Sequence, residues 1–264
     1  MRWLCSVSIF IAASMSAPAE AANGRWFFST GIDYSTGDYG EPENTTIETL
    51  PLSAGYVAPR WSAMLIVPLV HIEGPGTVVP GGLGNGGVLG GLLGSSAAAP
   101  SPGQDVDETG VGDASLTVSA TPVILEGGTE LQVISRLRAP TGDTGRSLGT
   151  GEWAAALSGG FRHPFSARAD VYGSIGYETA LDGDGSGIIA NLGIESYVAE
   201  RVQIGALLNY VRATSTLQRD GAQAGGFVTY DLSQSTRLQA YAAAGLSDTS
   251  PDVSTGFRVI FAAE

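Results

Sequence analysis

The chain has 264 residues and carries 13 basic against 26 acidic side chains, a formal net charge of -13 with a pI near 4.4, a balance that excludes nucleic acid as a partner. All 13 cations are Arg, and the single cysteine, Cys5, precedes the body of the chain, which therefore holds no disulfide framework and no cysteine metal centre. No stretch free of charge, Gly and Pro reaches the ~18 apolar residues that a spanning helix needs.

In chain order, residues 1–22 come first: Arg2, an apolar run from Leu4 to Ala13, then small residues at Ala19, Ala21 and Ala22. This is the pattern of a cleavable secretory signal. Cys5 lies before the apolar core, so it is not a lipid-modified first residue of a mature chain. Removal of residues 1–21 takes away Arg2 and Glu20 and leaves 12 basic and 25 acidic groups, so the charge stays at -13.

Residues 23–264 read as an all-β, antiparallel transmembrane barrel of about 12 strands. The strands are predicted near 25–35, 46–56, 61–72, 113–125, 130–140, 152–162, 170–179, 188–198, 202–212, 223–232, 237–247 and 254–262. Connections are alternately short and long, which places both termini on the periplasmic side. Within each segment every second residue is apolar. Trp26, Phe28, Ile32 and Tyr34 oppose Ser29, Gly31 and Asp33, and Leu131, Val133, Leu137 and Ala139 oppose Gln132, Arg136 and Arg138. Trp153, Ala155, Leu157 and Phe161 oppose Glu152, Ser158, Gly160 and Arg162, while Thr255, Phe257, Val259 and Phe261 alternate with Gly256, Arg258 and Ile260. Strand side chains point to opposite faces in turn, so one face is apolar and the other wet.

A soluble sandwich alternates in the same way. Aromatic placement separates the two: Trp26, Trp61, Trp153, Tyr34, Tyr56, Tyr177, Tyr210 and Tyr230 fall at predicted strand ends on the apolar face, where membrane interfaces select such rings; Tyr197 is an exception, with inward parity. The lumen candidates are Asp33, Glu48, Arg136, Arg138, Glu152, Asp170, Glu178, Glu195, Asp231 and Arg258, charges that a sandwich core would not hold unpaired.

The longest connection, 73–112, is Gly-rich and of low complexity; its composition favours an outer loop over a lid folded into the lumen. Within it, Gly82, Gly84 and Gly87 have a dinucleotide-binding spacing without the βαβ unit that would give it meaning, so no cofactor is expected. Asp182, Asp184, Ser186 and Gly187 resemble the start of a calcium loop, but the twelfth position is Gly193 instead of Glu; the segment reads as a solvated turn, and no metal site is expected. His71 and His163 fall at opposite barrel ends with no serine partner by strand order, so no catalytic residues are assigned and no enzyme is expected.

The segment 136–151, RLRAPTGDTGRSLGTG, resembles a family of outer-membrane barrels named after the meta-cleavage pathway of phenol degradation. In that family a strand ending in a basic residue and Pro-Thr-Gly-Asp leads to Leu-Gly-Thr-Gly, matched here by Arg138, Pro140, Thr141, Gly142, Asp143, Leu148, Gly149, Thr150 and Gly151. Further matches are Gly37 to Tyr39, Gly110 to Asp113 and Gly245 to Asp252, in the family's order; departures are Arg138 where Lys is commoner, the Gly-rich insertion before Gly110, and three residues after Phe261. The resemblance implies a transporter-like channel in the outer membrane of a Gram-negative bacterium, passing small hydrophobic or aromatic solutes. Its partners would then be outer-membrane lipid, lipopolysaccharide and such a solute. The alternative is a plugged structural or surface-interaction barrel without transport. Pro140–Asp143 reads as a tight turn leaving the sheet more than as a ligand contact.

Overall fold

The computed structural model describes residues 24–75, 78–80, 105–183, 185–214 and 220–263. The expected signal segment 1–22, the Gly82–Gly87 spacing and Asp184 lie outside the described residues. The strands are β1 (Arg25–Gly37), β2 (Thr45–Ala58), β3 (Trp61–Pro75), β4 (Asp105–Val111), β5 (Ala114–Ile124), β6 (Glu130–Ala139), β7 (Ala154–Ser166), β8 (Ala169–Ala180), β9 (Ser186–Ala199), β10 (Val202–Ala213), β11 (Gly221–Asp231), β12 (Thr236–Gly245) and β13 (Val253–Ala263).

Each strand pairs antiparallel with its neighbour in sequence, and β1 pairs with β13 from Trp26↔Ala263 to Thr36↔Val253, which closes the sheet into a barrel. Closure pairs both edges of the staves around the ring, the condition for a sheet to stand in lipid, and leaves β4 with a single strand partner, β3.

Thirteen strands make twelve staves. One edge of β3 pairs with β5 over Trp61–Ile66 and with β4 over Leu69–Pro75, so β4 continues the stave of β5. Between Ser115, opposite Ile66, and Val111, opposite Leu69, this stave carries Gly112, Asp113 and Ala114 against only Val67 and Pro68. That is a β-bulge, which flips the alternation so that Val111 and Leu116, of opposite parity, both face outward. The expected loop 73–112 is therefore shorter at both ends than the sequence suggested. The polar run Asp107-Glu108-Thr109-Gly110 in β4 gave no apolar alternation to reveal a strand, because this extension stands beyond the apolar band.

Burial is inverted relative to a soluble protein. Ile32 and Ile175 are 64% and 63% exposed, whereas Glu195 and Arg258 are 1% and 3% exposed. Among the described residues no second sheet covers the apolar face, and Trp26, Trp61 and Trp153 all lie exposed. At the end that carries both termini the rings of Trp26, Tyr56 and Trp61 pack in a row, with centroids 5.2 and 5.5 Å apart. These rings flank an outward surface of Leu, Ile, Val and Phe, the exterior of a membrane barrel.

The inner face is not uniformly wet, which corrects the expectation of a polar interior. Phe27, Val57, Met64, Ile66 and Ile260 form one inward apolar cluster, and Tyr172, Leu207, Phe227, Tyr241 and Ala243 form another. Several of these rings face a glycine directly across the ladder: Phe27 opposite Gly55, Tyr172 opposite Gly193, Phe227 opposite Gly205 and Tyr241 opposite Gly256. A Cβ on any of these glycines would overlap the ring. The missing Cβ lets each ring lie flat against the wall and stay out of the bore.

Candidate functional site

Inward charge is arranged in stations along the wall. Arg162 on β7 holds Asp170 on β8 at 2.7 Å and Glu195 on β9 at 2.5 Å. Arg237 on β12 holds Asp231 on β11 at 2.6 Å, and Arg258 on β13 holds Asp33 on β1 at 3.0 Å. Arg138 on β6 faces Glu178 on β8 at 3.7 Å. Each pair joins neighbouring or next-but-one staves, and among the described residues none reaches across the bore. Arg136 also points inward, and among the described residues no hydrogen bond or ion pair engages it.

Two lumen candidates lie elsewhere. Glu48 is exposed on the outer face, opposite Tyr34 on β1 and His71 on β3. It shares the parity of Leu50, Leu52 and Tyr56; charge suggested the lumen, and pleat geometry overrides it. Glu152 precedes β7, which begins at Ala154, and sits in the connection between β6 and β7, close to Gly183. The histidines lie at opposite ends: His71 Nδ1 is 2.9 Å from Thr109 Oγ1, and His163 Nδ1 is 2.8 Å from Thr129 Oγ1. Of the calcium-like run, Ser186 and Gly187 begin β9.

Segment 140–151 does more than turn the chain. Thr141 Oγ1 accepts from the Ala114 amide at 2.8 Å and donates to the Gly112 carbonyl at 2.7 Å. Asp113 accepts from the Gly142 amide at 3.0 Å and from the Thr150 amide and hydroxyl, each at 2.8 Å. Asp143 caps a short 3-10 turn, Thr144–Arg146, by accepting from the Gly145 amide. Arg146 then pairs with Glu108 at 2.6 Å and donates to the Thr109 carbonyl at 2.9 Å. Gly142 and Gly149 pack backbone to backbone, and Gly151 holds φ at 72°. The segment is thus buckled onto the bulge and onto β4. Its Leu148 is fully buried among Tyr39, Ile47, Val70, Ile72 and Val78 inside the mouth. Sequence reasoning quoted Gly110–Asp113 and Pro140–Gly151 as separate motifs. Their shared Asp113 was the missing link, and two motifs rich in amide donors flanking one buried carboxylate were the signal for it.

Below the buckle lies a chamber with about 60 Å³ of free volume. Its apolar side comes from Pro51 on β2 and Ile66, Pro68 and Val70 on β3; beyond the intervening stave of β5, its polar side presents Arg136 and Arg138 of β6 with Glu178 of β8. Pro80, in the described start of the long connection, also lines it, and the neighbouring Val78 and Val79 are buried. This part of the connection enters the mouth, whereas the sequence favoured an outer loop.

The family described as Putative MetA-pathway of phenol degradation matches residues 45–262. Among solved structures, the chain is similar to the COG4313 outer membrane channel from Pseudomonas putida F1 at 15% identity, covering 93% of this chain and 99% of that one, with a TM-score of 0.67. The beta domain of the Bordetella autotransporter BrkA follows at 14% identity, 91% and 100% coverage and a TM-score of 0.55. The KdgM porin gives 10% identity, 89% and 98% coverage and a TM-score of 0.52. These likenesses share the barrel fold. No curated protein sequence matches the chain.

Proposed function

We propose, from the premise that the chain belongs to the family described as Putative MetA-pathway of phenol degradation, that it is a passive outer-membrane channel for small hydrophobic or aromatic solutes. The observation that carries this reading is the mixed character of the interior. Three inward apolar clusters alternate with charge stations, and no ion pair among the described residues bridges the bore. A plugged structural barrel would instead interlock its charges across the lumen. Rings held flat on glycines keep the wall smooth and greasy, a surface on which an apolar solute can move without losing contact.

The mouth sets the rate. About 60 Å³ is less than half of the ~150 Å³ that an apolar cavity needs to take up benzene. Passage of an aromatic solute therefore requires residues 78–80 and the buckled segment 140–151 to shift.

The test uses intact Gram-negative cells and N-phenylnaphthylamine, a small aromatic dye that the lipopolysaccharide leaflet holds back. Cells carrying the folded chain in the outer-membrane fraction should show a faster fluorescence rise than cells carrying an unrelated closed barrel at equal abundance. Equal rates would remove the channel reading.

A further inference from the structure

We infer that the chamber below the buckle is a binding site for a planar apolar solute bearing one anionic head, with Arg136 as the group that selects the charge. The inference rests on the channel reading above and adds to it a sign of charge and a place. Arg136 is half-buried, and an unselective greasy bore needs no cation at this place.

Four charged groups reach the chamber: Arg136, Arg138, Glu178 and Asp113. Asp113 already accepts three hydrogen bonds from the buckle. Glu178 faces Arg138. Glu178 Oε2, however, is buried with no hydrogen-bond partner among the described residues and is the one open carboxylate oxygen here. On the donor side, among the described residues, no hydrogen bond or ion pair engages Arg136, the Arg138 Nε–H is buried with no acceptor, and the buried Thr117 hydroxyl, directly across the ladder from Arg136, has no partner either. Arg136 and Arg138 are two residues apart on one face of β6, roughly 7 Å along the strand, so their guanidinium groups can converge on one head group. Against the single open oxygen of Glu178 stand the whole Arg136 guanidinium, the Arg138 Nε–H and the Thr117 hydroxyl, so donors remain in excess, and a carboxylate, sulfonate or phenolate oxygen is the acceptor that answers it.

The body of the ligand follows from the apolar side, on β2 and β3. Pro51 and Pro68 are direct cross-strand partners, flanked by Ile66 and Val70. Neither proline has an N–H, so this wall presents C–H surface with no backbone donor to leave unmet. Pro80 sits against the same wall from the mouth side, a compact ring in a space where a solute ring fits once that segment withdraws. The order from wall to wall is apolar body, then anionic head.

Three permanently charged or small probes separate the terms: benzenesulfonate, phenyltrimethylammonium and methanesulfonate. None crosses lipid readily. In vesicles containing the full barrel, benzenesulfonate should enter faster than the other two, because only it satisfies both walls. Calorimetry on the folded barrel in detergent should give benzenesulfonate binding that Arg136→Gln weakens at least about tenfold, the loss expected for one charge-assisted contact, with Arg136→Lys in between. Arg136→Gln should also raise phenyltrimethylammonium entry by lifting repulsion. Faster entry of the cation in the wild type, or benzenesulfonate binding unaltered by Arg136→Gln in a barrel that still shows heat-modifiable migration, would overturn the site while leaving the channel intact. Should no probe enter faster than into empty vesicles, the channel reading is what fails, and the calorimetric result still decides the site.

Discussion

Asp33 and Arg258 lie 3.0 Å apart on the first and last strands, so a buried ion pair bridges the seam at which the chain closes on itself. Both side chains are almost wholly enclosed, at 4% and 3% exposure. Removing one partner would strand the other charge, at a cost of about 3–5 kcal/mol, whereas removing both loses only the small net worth of the pair. Asp33→Asn and Arg258→Gln should each lower the urea midpoint of the folded barrel in detergent, and the double variant should recover most of the loss. Additive losses in the double variant would show that the pair is not the seam's electrostatic latch.

The glycines under the inward rings make a second prediction. At Gly193 a Cβ would collide with the Tyr172 ring, whereas at Gly159, on the outer face, a Cβ meets nothing within 4 Å. Gly193→Ala should cost about 1–3 kcal/mol, the range for overpacking a filled interior. It should also tilt the ring into the bore and slow solute entry. Gly159→Ala should be neutral or slightly stabilising, since Gly in a strand costs roughly 0.5–1 kcal/mol relative to Ala. Equal unfolding midpoints for the two variants would contradict the flat packing.

Facing is tested by neighbours. Ile175 and Ser174 adjoin near the middle of β8 but point to opposite sides of the wall. An arginine on the lipid side near the bilayer midplane costs about 2–4 kcal/mol, while the same arginine on the lumen side keeps its hydration. Ile175→Arg should therefore lower the folded-to-unfolded ratio in lipid vesicles by about 30- to 1,000-fold relative to Ser174→Arg, read from heat-modifiable migration. The reverse order would turn the barrel inside out.

Much of this was legible in the sequence because lipid imposes its rule on every second residue: Trp26, Phe28 and Ile32 on β1 and Phe257 and Phe261 on β13 each announce the outer face. The inner face obeys no such rule. Phe27, Ile134 and Ile260 sit at positions of polar parity, and nothing local distinguishes a lumen that is wet from one that is partly greasy. Glu48 was misplaced because its chemistry was read ahead of its parity. The buckle was hidden for a different reason. Leu148 packs on Tyr39, Ile47, Val70 and Ile72, and Asp113 bonds Gly142 and Thr150, partners all remote along the chain, and a one-residue bulge erases the alternation beside Asp113.

The buckle yields the prediction with the most direct functional consequence. Asp113 is the common acceptor for Gly142 and Thr150, and charge-assisted bonds of this kind contribute about 1.5–3 kcal/mol each. Asp113→Ala should therefore weaken the closed arrangement of segment 140–151 by about 3 kcal/mol or more and populate conformations in which Leu148 leaves its apolar seat. The barrel itself is held by twelve closed staves and by pairs remote from the mouth, so its unfolding midpoint should move little. The expected signature is faster N-phenylnaphthylamine entry at nearly unchanged barrel stability, with Leu148→Ala producing the same change through the apolar contact alone. If both variants leave entry at the wild-type rate while limited proteolysis shows segment 140–151 released, the segment does not control the path, and the constriction must lie among the charge stations deeper in the bore.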